Sequence, residues 1–206
     1  MLGSILFTWL QGAQFYQDLH QRAVDSLPPG TGKMWLDVGC GPGLVTRLAA
    51  SCGYSAKGID ADPRMIKAAK RLAKHHHSLA EFEVGNITAL PYQYADVVSA
   101  ASLLAVLDDK PSGLNSLWRC VRPGGYLLII EPTDRMNPEN AKNVISADLP
   151  QKRINGLRLW AAARQNKTVD PKIYDELEGK QQYVDLLHGL VGAWIFKKNN
   201  EFSQAD

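Results

Sequence analysis

Residues 36–43 read Leu, Asp, Val, Gly, Cys, Gly, Pro, Gly, and this stretch constrains the chain most. It follows the apolar Met34 and Trp35 and precedes a helical run that begins at Leu44. The pattern is a strand that stops in a glycine loop. With Gly39, Gly41 and Gly43 at alternate positions, every second Cβ is missing, so the backbone can turn sharply and lie against a flat or bulky group. Taken alone, the loop fits either a turn joining strand to helix or a cradle for a nucleotide-like cofactor.

The surrounding chain alternates in the manner of a parallel sheet. Apolar spacings of three and four predict an amphipathic helix over residues 4–26, ended by Pro28, Pro29 and Gly30. Its aromatic residues Trp9, Phe15 and Tyr16 suit packing against the domain or covering a ligand. Strands are expected at 33–38, 54–59, 79–84, 95–101 and 126–130, with helices between them; Asp62 can cap the second of these, and Pro63 takes its first position. Residues 95–101 are nearly all small or apolar, which suits a central strand buried on both faces. Residues 122–125, Arg-Pro-Gly-Gly, are read as the stop between the fourth helix and the fifth strand. Helical material follows over 137–149, 152–165 and 171–177, and an antiparallel pair of strands over 182–188 and 190–197. The fold class expected is α/β: a Rossmann-like, doubly wound, seven-stranded sheet, mostly parallel with an antiparallel C-terminal strand, and a helical insertion before strand six. A length of 206 residues suits a single domain, residues 1–206, with 1–30 as a cap helix and 135–180 as an insertion over the site.

In such a sheet, ligands bind beyond the carboxyl ends of the strands. Those ends carry Asp37 and the glycine loop, Asp60, Asn86 with Ile87, and Ala101 with Ser102. An ionised Asp60, about twenty residues past the loop, can accept both hydroxyls of a ribose. A dinucleotide fingerprint needs G-x-G-x-x-G, whereas here the third glycine comes one residue early, after Pro42. Asp37 would oppose a phosphate but could hold a cationic amino group. The chemistry favours a cofactor without phosphates.

The run Asp37 to Gly43, then Gly58, Ile59 and Asp60, Gly85 and Asn86 before Leu90 and Pro91, Ala95 to Val98, and Leu117 to Gly125 resembles the successive motifs of class I S-adenosylmethionine-dependent methyltransferases. The resemblance covers residues 34–132. It implies that Gly39, Cys40, Gly41 and Gly43 approach the methionine part of S-adenosylmethionine, with Asp37 near its amino group and Ser102 at the same end. It also implies that Asp60 takes the ribose, Ala61 and Met65 flank adenine, and Asn86 and Ile87 bond its edge. Asn86 departs from the more usual aspartate; an amide oxygen can still accept from the adenine amine.

The acceptor is less legible. Tyr16, Glu131, Thr133, Trp160 and His188 are candidates for substrate contact, each with an ordinary structural reading beside it: core packing for Trp160, a turn for His188, an ion pair for Glu131. No catalytic base is named. A small-molecule acceptor is expected; the alternatives are a protein or RNA target, or a non-catalytic module that binds S-adenosylmethionine. After strand four the chain has Ala101, Ser102, Leu103 and Leu104, not the Asn/Asp-Pro-Pro-aromatic tetrapeptide of nucleic-acid amino methyltransferases, so no DNA partner is expected. A net charge of +2 agrees. No metal is expected either, because His75, His76 and His77 are consecutive and point about 100° apart on a helix. Cys40, Cys52 and Cys120 form no C-x-x-C pair, and no basic leader or membrane span stands out, so a reducing, cytoplasmic setting is expected.

Overall fold

The computed structural model describes residues 8–146 and 153–200; the start of the expected N-terminal helix and the end of the first insertion helix lie outside them. In chain order the elements are α1 (Gln14–Asp25), β1 (Met34–Val38), α2 (Leu44–Ser51), β2 (Ser55–Asp60), α3 (Pro63–His75), β3 (Glu81–Val84), β4 (Ala95–Ala101), α4 (Lys110–Cys120), β5 (Val121–Pro132), α5 (Pro138–Ser146), α6 (Asn155–Arg164), β6 (Lys180–Leu186) and β7 (Val191–Lys197). The sheet runs β3-β2-β1-β4-β5-β7-β6. Strands β1 to β5 pair in parallel, and β7 lies antiparallel between β5 and β6. The strand order reverses at β1, which places the glycine loop at the topological switch point.

Alternation along the strands supplies a core on each face. Trp35, Val97, Leu128, Ile130, Ala193 and Ile195 point to one side, where they meet Leu19 and Ala23 of α1, Val45 of α2, and Leu157 and Trp160 of α6. Leu36, Val98, Ala100, Leu127, Ile129 and Phe196 point to the other, against Leu114 and Leu117 of α4 and Tyr174. Both faces of the central strands are therefore apolar, as a covered parallel sheet demands.

Local signals act as their chemistry requires. The Asp62 carboxylate accepts from Arg64 N at 2.9 Å and Pro63 opens α3. Three expectations are corrected. Helix 4–26 is broken: residues 8–10 are helical, Gly12 N and Ala13 N close a turn on Trp9 O and Leu10 O, and α1 begins after Ala13. The break is tertiary in origin, since the Arg153 guanidinium fills the space beside Gly12 and stacks on Trp9. The helix before residues 122–125 does end, at Cys120, but these residues are not a break ahead of β5: they form an irregular stretch inside it, where pairing with β4 jumps from Val121 to Tyr126. Finally, β6 ends two residues early, and Leu187, His188 and Gly189 turn the chain with φ of 50°, 55° and 81°.

Gly43 shows why the loop needs glycine for packing as well as for turning. Its φ is +79°, and an added Cβ would meet the Phe82 ring and lie 3.1 Å from Ala69 Cβ. Gly43→Ala is expected to destabilise the fold by about 2–4 kcal/mol, combining the left-handed backbone penalty with overpacking. Urea unfolding would measure it.

Candidate functional site

The site is built where β1 and β2 end. Asp37 is 1% exposed, and its two oxygens accept from Ser99 Oγ at 2.8 Å and Thr46 Oγ1 at 2.7 Å. Ser99 Oγ in turn accepts from Trp35 Nε1 at 2.8 Å, so the carboxylate is held from β4, α2 and β1 together. Burial raises its pKa from 3.8 to about 6 against these bonds, which act the other way. At the end of β2, Asp60 accepts from Gly41 N at 2.9 Å through one oxygen and from Asp62 N at 2.8 Å through the other. Arg47 clamps the loop from α2, donating to Pro42 O at 2.8 Å and to Gln11 Oε1 at 2.9 Å.

These bonds decide what the loop can receive. Cys40 N is spent on Ile59 O, Gly41 N on Asp60, and Gly43 N on Cys40 O, at 2.9 Å each, while Pro42 has no N–H. A pyrophosphate cradle needs such amides turned outward. Instead the loop presents two buried or half-buried carboxylates and, at Gly41, a position where an added Cβ would meet nothing within 4 Å. This donor set fits a cationic, nucleoside-bearing group such as S-adenosylmethionine and opposes a dinucleotide.

A cavity of about 270 Å³ opens on this side. Of the residues singled out in the sequence, Asp37, Gly39, Cys40, Gly41, Asp60, Met65, Ser102 and Tyr16 line it. Burial pushes the Tyr16 hydroxyl up to about 12 and the Cys40 thiol well above its usual range, so both stay protonated near neutrality. Ser102 holds a left-handed backbone, φ +55°, with its N donating to Ile130 O at 2.7 Å.

Other named residues stand elsewhere. Gly43 faces Phe82. Ala61 is exposed just past Asp60, and Ile87 is half-buried beside Gly113 of α4. Asn86 lines a second cavity of about 210 Å³, with its Oδ1 accepting from both Thr88 N and Thr88 Oγ1 at 3.1 Å. Glu131 is 0% exposed; its Oε1 accepts from Leu104 N at 2.7 Å and Ala105 N at 3.4 Å, which ties the loop after β4 to β5. Burial raises its pKa to about 7, against the attraction of Arg164. Trp160 belongs to the core, edge-on to Tyr16 with centroids 5.1 Å apart. His188 lines a separate cavity beside Asp18 and Arg22, and Thr133 donates to Gly189 O at 2.6 Å in the turn before β7.

Among the cavity residues that the sequence did not single out, two carry chemistry of interest. His20 sits one turn beyond Tyr16 on α1, and Arg164 closes α6 and reaches Ser102 O at 3.4 Å. The i, i+4 spacing from Tyr16 would have placed His20 on the same face. Nothing in the sequence marks Arg164 as buried.

The comparisons agree with this geometry. The family model described as "Methyltransferase domain" matches residues 36–129. The malonyl-acyl-carrier-protein O-methyltransferase of Salmonella typhimurium is 31% identical over 170 residues, covering 75% of this chain and 66% of that protein. The ubiquinone biosynthesis O-methyltransferase of Thiobacillus denitrificans is 29% identical over 131 residues, covering 58% of this chain and 56% of that protein. The chain spans about half the length of the curated relatives it matches. A Methanococcus maripaludis structure, described as that of a candidate S-adenosyl-L-methionine-dependent methyltransferase, superposes with a TM-score of 0.69 at 17% identity, covering 98% of this chain and 94% of that one. A Rossmann-like sheet of this order, a glycine loop tied to Asp60 through Gly41 N, and these matches together place the chain in the class I S-adenosylmethionine-dependent methyltransferase superfamily.

Proposed function

We propose that this protein transfers the methyl group of S-adenosylmethionine to a small-molecule acceptor. The observation that carries the reading is the convergence of Asp37 and Asp60 on a glycine loop in which the N–H groups of Cys40, Gly41 and Gly43 are already spent. Asp60 would take the ribose, and Asp37 the amino group. Gly39, Cys40, Gly41 and Ser102 would line the methionine end, and Met65 and Ala61 would flank adenine. Asn86 and Ile87 would meet the adenine edge; because Thr88 occupies both lone pairs of Asn86 Oδ1, the side chain must turn to receive an adenine amine. The bound cofactor supplies an electrophilic methyl on a sulfonium, leaving the protein to align the nucleophile and exclude water.

The cavity continues past the loop to Tyr16, His20 and Arg164, so α1 and the helices between β5 and β6 would form the acceptor wall of one domain. The names of the relatives, both O-methyltransferases of small biosynthetic substrates or carriers, support this class. No helix among the described residues is long and apolar enough to cross a membrane, and all three cysteines are free thiols, which supports a cytoplasmic setting.

Calorimetry should show binding of S-adenosylmethionine and not of NAD. Asp60→Ala should weaken that binding by about 1.5–3 kcal/mol, the scale of hydrogen bonds to a charged group. Formation of S-adenosylhomocysteine in a metabolite extract, absent without the extract, would establish turnover; tight NAD binding would overturn the reading.

A further inference from the structure

We propose that His20 Nε2 accepts a hydrogen bond from the acceptor's nucleophile, so that the methyl acceptor attacks through a hydroxyl group and not through a carboxylate. The inference rests on the methyl-transfer reading above and narrows its substrate class.

The tautomer of His20 follows from one contact. Its Nδ1 lies 2.7 Å from Tyr16 O, and a carbonyl oxygen only accepts, so the ring hydrogen is on Nδ1. Nε2 therefore keeps its lone pair, and no donor among the described residues satisfies it. The ring is 2% exposed and tilted over Tyr16, centroids 4.3 Å apart, which fixes its direction. It lines the same cavity as Gly39, Gly41 and Asp37. Burial lowers its pKa to about 4, so the imidazole is neutral at physiological pH.

The other titratable groups around the cavity are unsuited to the task. Tyr16 and Cys40 are held protonated. Asp37 engages Thr46 and Ser99, and Asp60 engages Gly41 and Asp62. Arg164, from α6, is cationic and carries donors alone. A neutral nitrogen that can only accept and a guanidinium that can only donate, lining one cavity, suit a group that brings a hydrogen and also offers lone pairs. A hydroxyl does both. A carboxylate brings no hydrogen and would set its lone pairs against that of Nε2. In the step proposed, the hydroxyl donates its hydrogen bond to Nε2, which aims an oxygen lone pair at the methyl group; that lone pair would form the O–C bond, the C–S pair would stay on the leaving sulfide, and the hydroxyl proton would pass to water, with His20 neutral throughout.

The test uses the whole protein, labelled with ¹⁵N and saturated with S-adenosylhomocysteine as judged by calorimetry. Two-bond correlations should show His20 with Nδ1 protonated and Nε2 bare. Phenol, titrated to its solubility limit, should shift Nε2 saturably, and benzoate should not. A protonated Nε2 at neutral pH, an unmoved Nε2, or an equal response to benzoate overturns the proposal. His20→Gln retains an acceptor oxygen, and His20→Phe does not. With S-adenosylhomocysteine affinity unchanged in both, Phe should weaken phenol binding about tenfold relative to Gln, one hydrogen bond's worth; equal phenol binding by the two also overturns it. Failure of S-adenosylhomocysteine to bind the wild-type protein would instead bring down the methyl-transfer reading itself.

Discussion

Gly41→Asn is expected to leave the fold standing and weaken S-adenosylmethionine binding by about 100-fold or more, about 2.7 kcal/mol. Gly41 is left-handed, φ +52°, and asparagine tolerates that region better than other side chains with a Cβ. The backbone bond to Asp60 therefore survives the substitution. An added Cβ meets no protein atom within 4 Å, so the amide side chain is directed into the cavity where the donor would lie. The contrast with Gly43 is instructive: there the same addition collides with Phe82 and costs stability first. Calorimetry with S-adenosylhomocysteine and a thermal melt separate the two outcomes. Full affinity in Gly41→Asn would mean that the cavity is not the cofactor site.

The second large effect is on stability against pH. Asp37 and Glu131 are buried acids whose pKa values rise to about 6 and about 7 in the fold, from 3.8 and 4.5. Over that window the unfolded chain releases these protons first, so the native state binds more of them and stability falls as pH rises. The stabilisation is whole below about pH 4 and is lost by about pH 7, with an upper bound of about 3 kcal/mol for each group. Glu131→Gln keeps an oxygen for Leu104 N and cannot ionise. It should match the wild type near pH 4 and exceed it by about 2 kcal/mol at pH 8, less whatever is lost from the attraction between Glu131 and Arg164. Asp37→Asn should stabilise in the same direction while losing affinity for the cofactor. Urea titrations at the two pH values decide; a wild-type stability that does not fall with pH would refute the assignment of both groups.

The parts of this molecule governed by local chemistry were legible in the chain. The loop glycines, the Asp62 cap and the largely small and apolar run of β4 fall where their residues place them. So does Asp60, because the end of a strand is visible as a change from apolar to acidic. What escaped depends on distant partners. The break at Gly12 exists because Arg153, more than a hundred residues later, occupies the space a side chain would need. Gly43 reads as a cofactor contact until Phe82 from β3 is seen behind it. Helical spacing puts His20 on the face of Tyr16 but does not say what covers it, and nothing local marks Arg164; the structure buries both because two helices, α1 and α6, close over the same cavity.

The position of β7 also dictates a timetable. The chain leaves the ribosome with β5 ready to pair on one side with β4, but its other edge, Tyr126 to Pro132, finds its partner only when residues 191–197 have been made. Until then an apolar strand edge, the kind of surface that recruits other nascent chains, stays bare while α5, α6 and β6 are synthesised past it. Translation that pauses or terminates between Pro132 and Val191 thus yields a chain with its glycine loop and Asp60 already in place and its sheet unsealed. Of the seven strands in this sheet, the one translated after the others is the one that covers the open edge of β5.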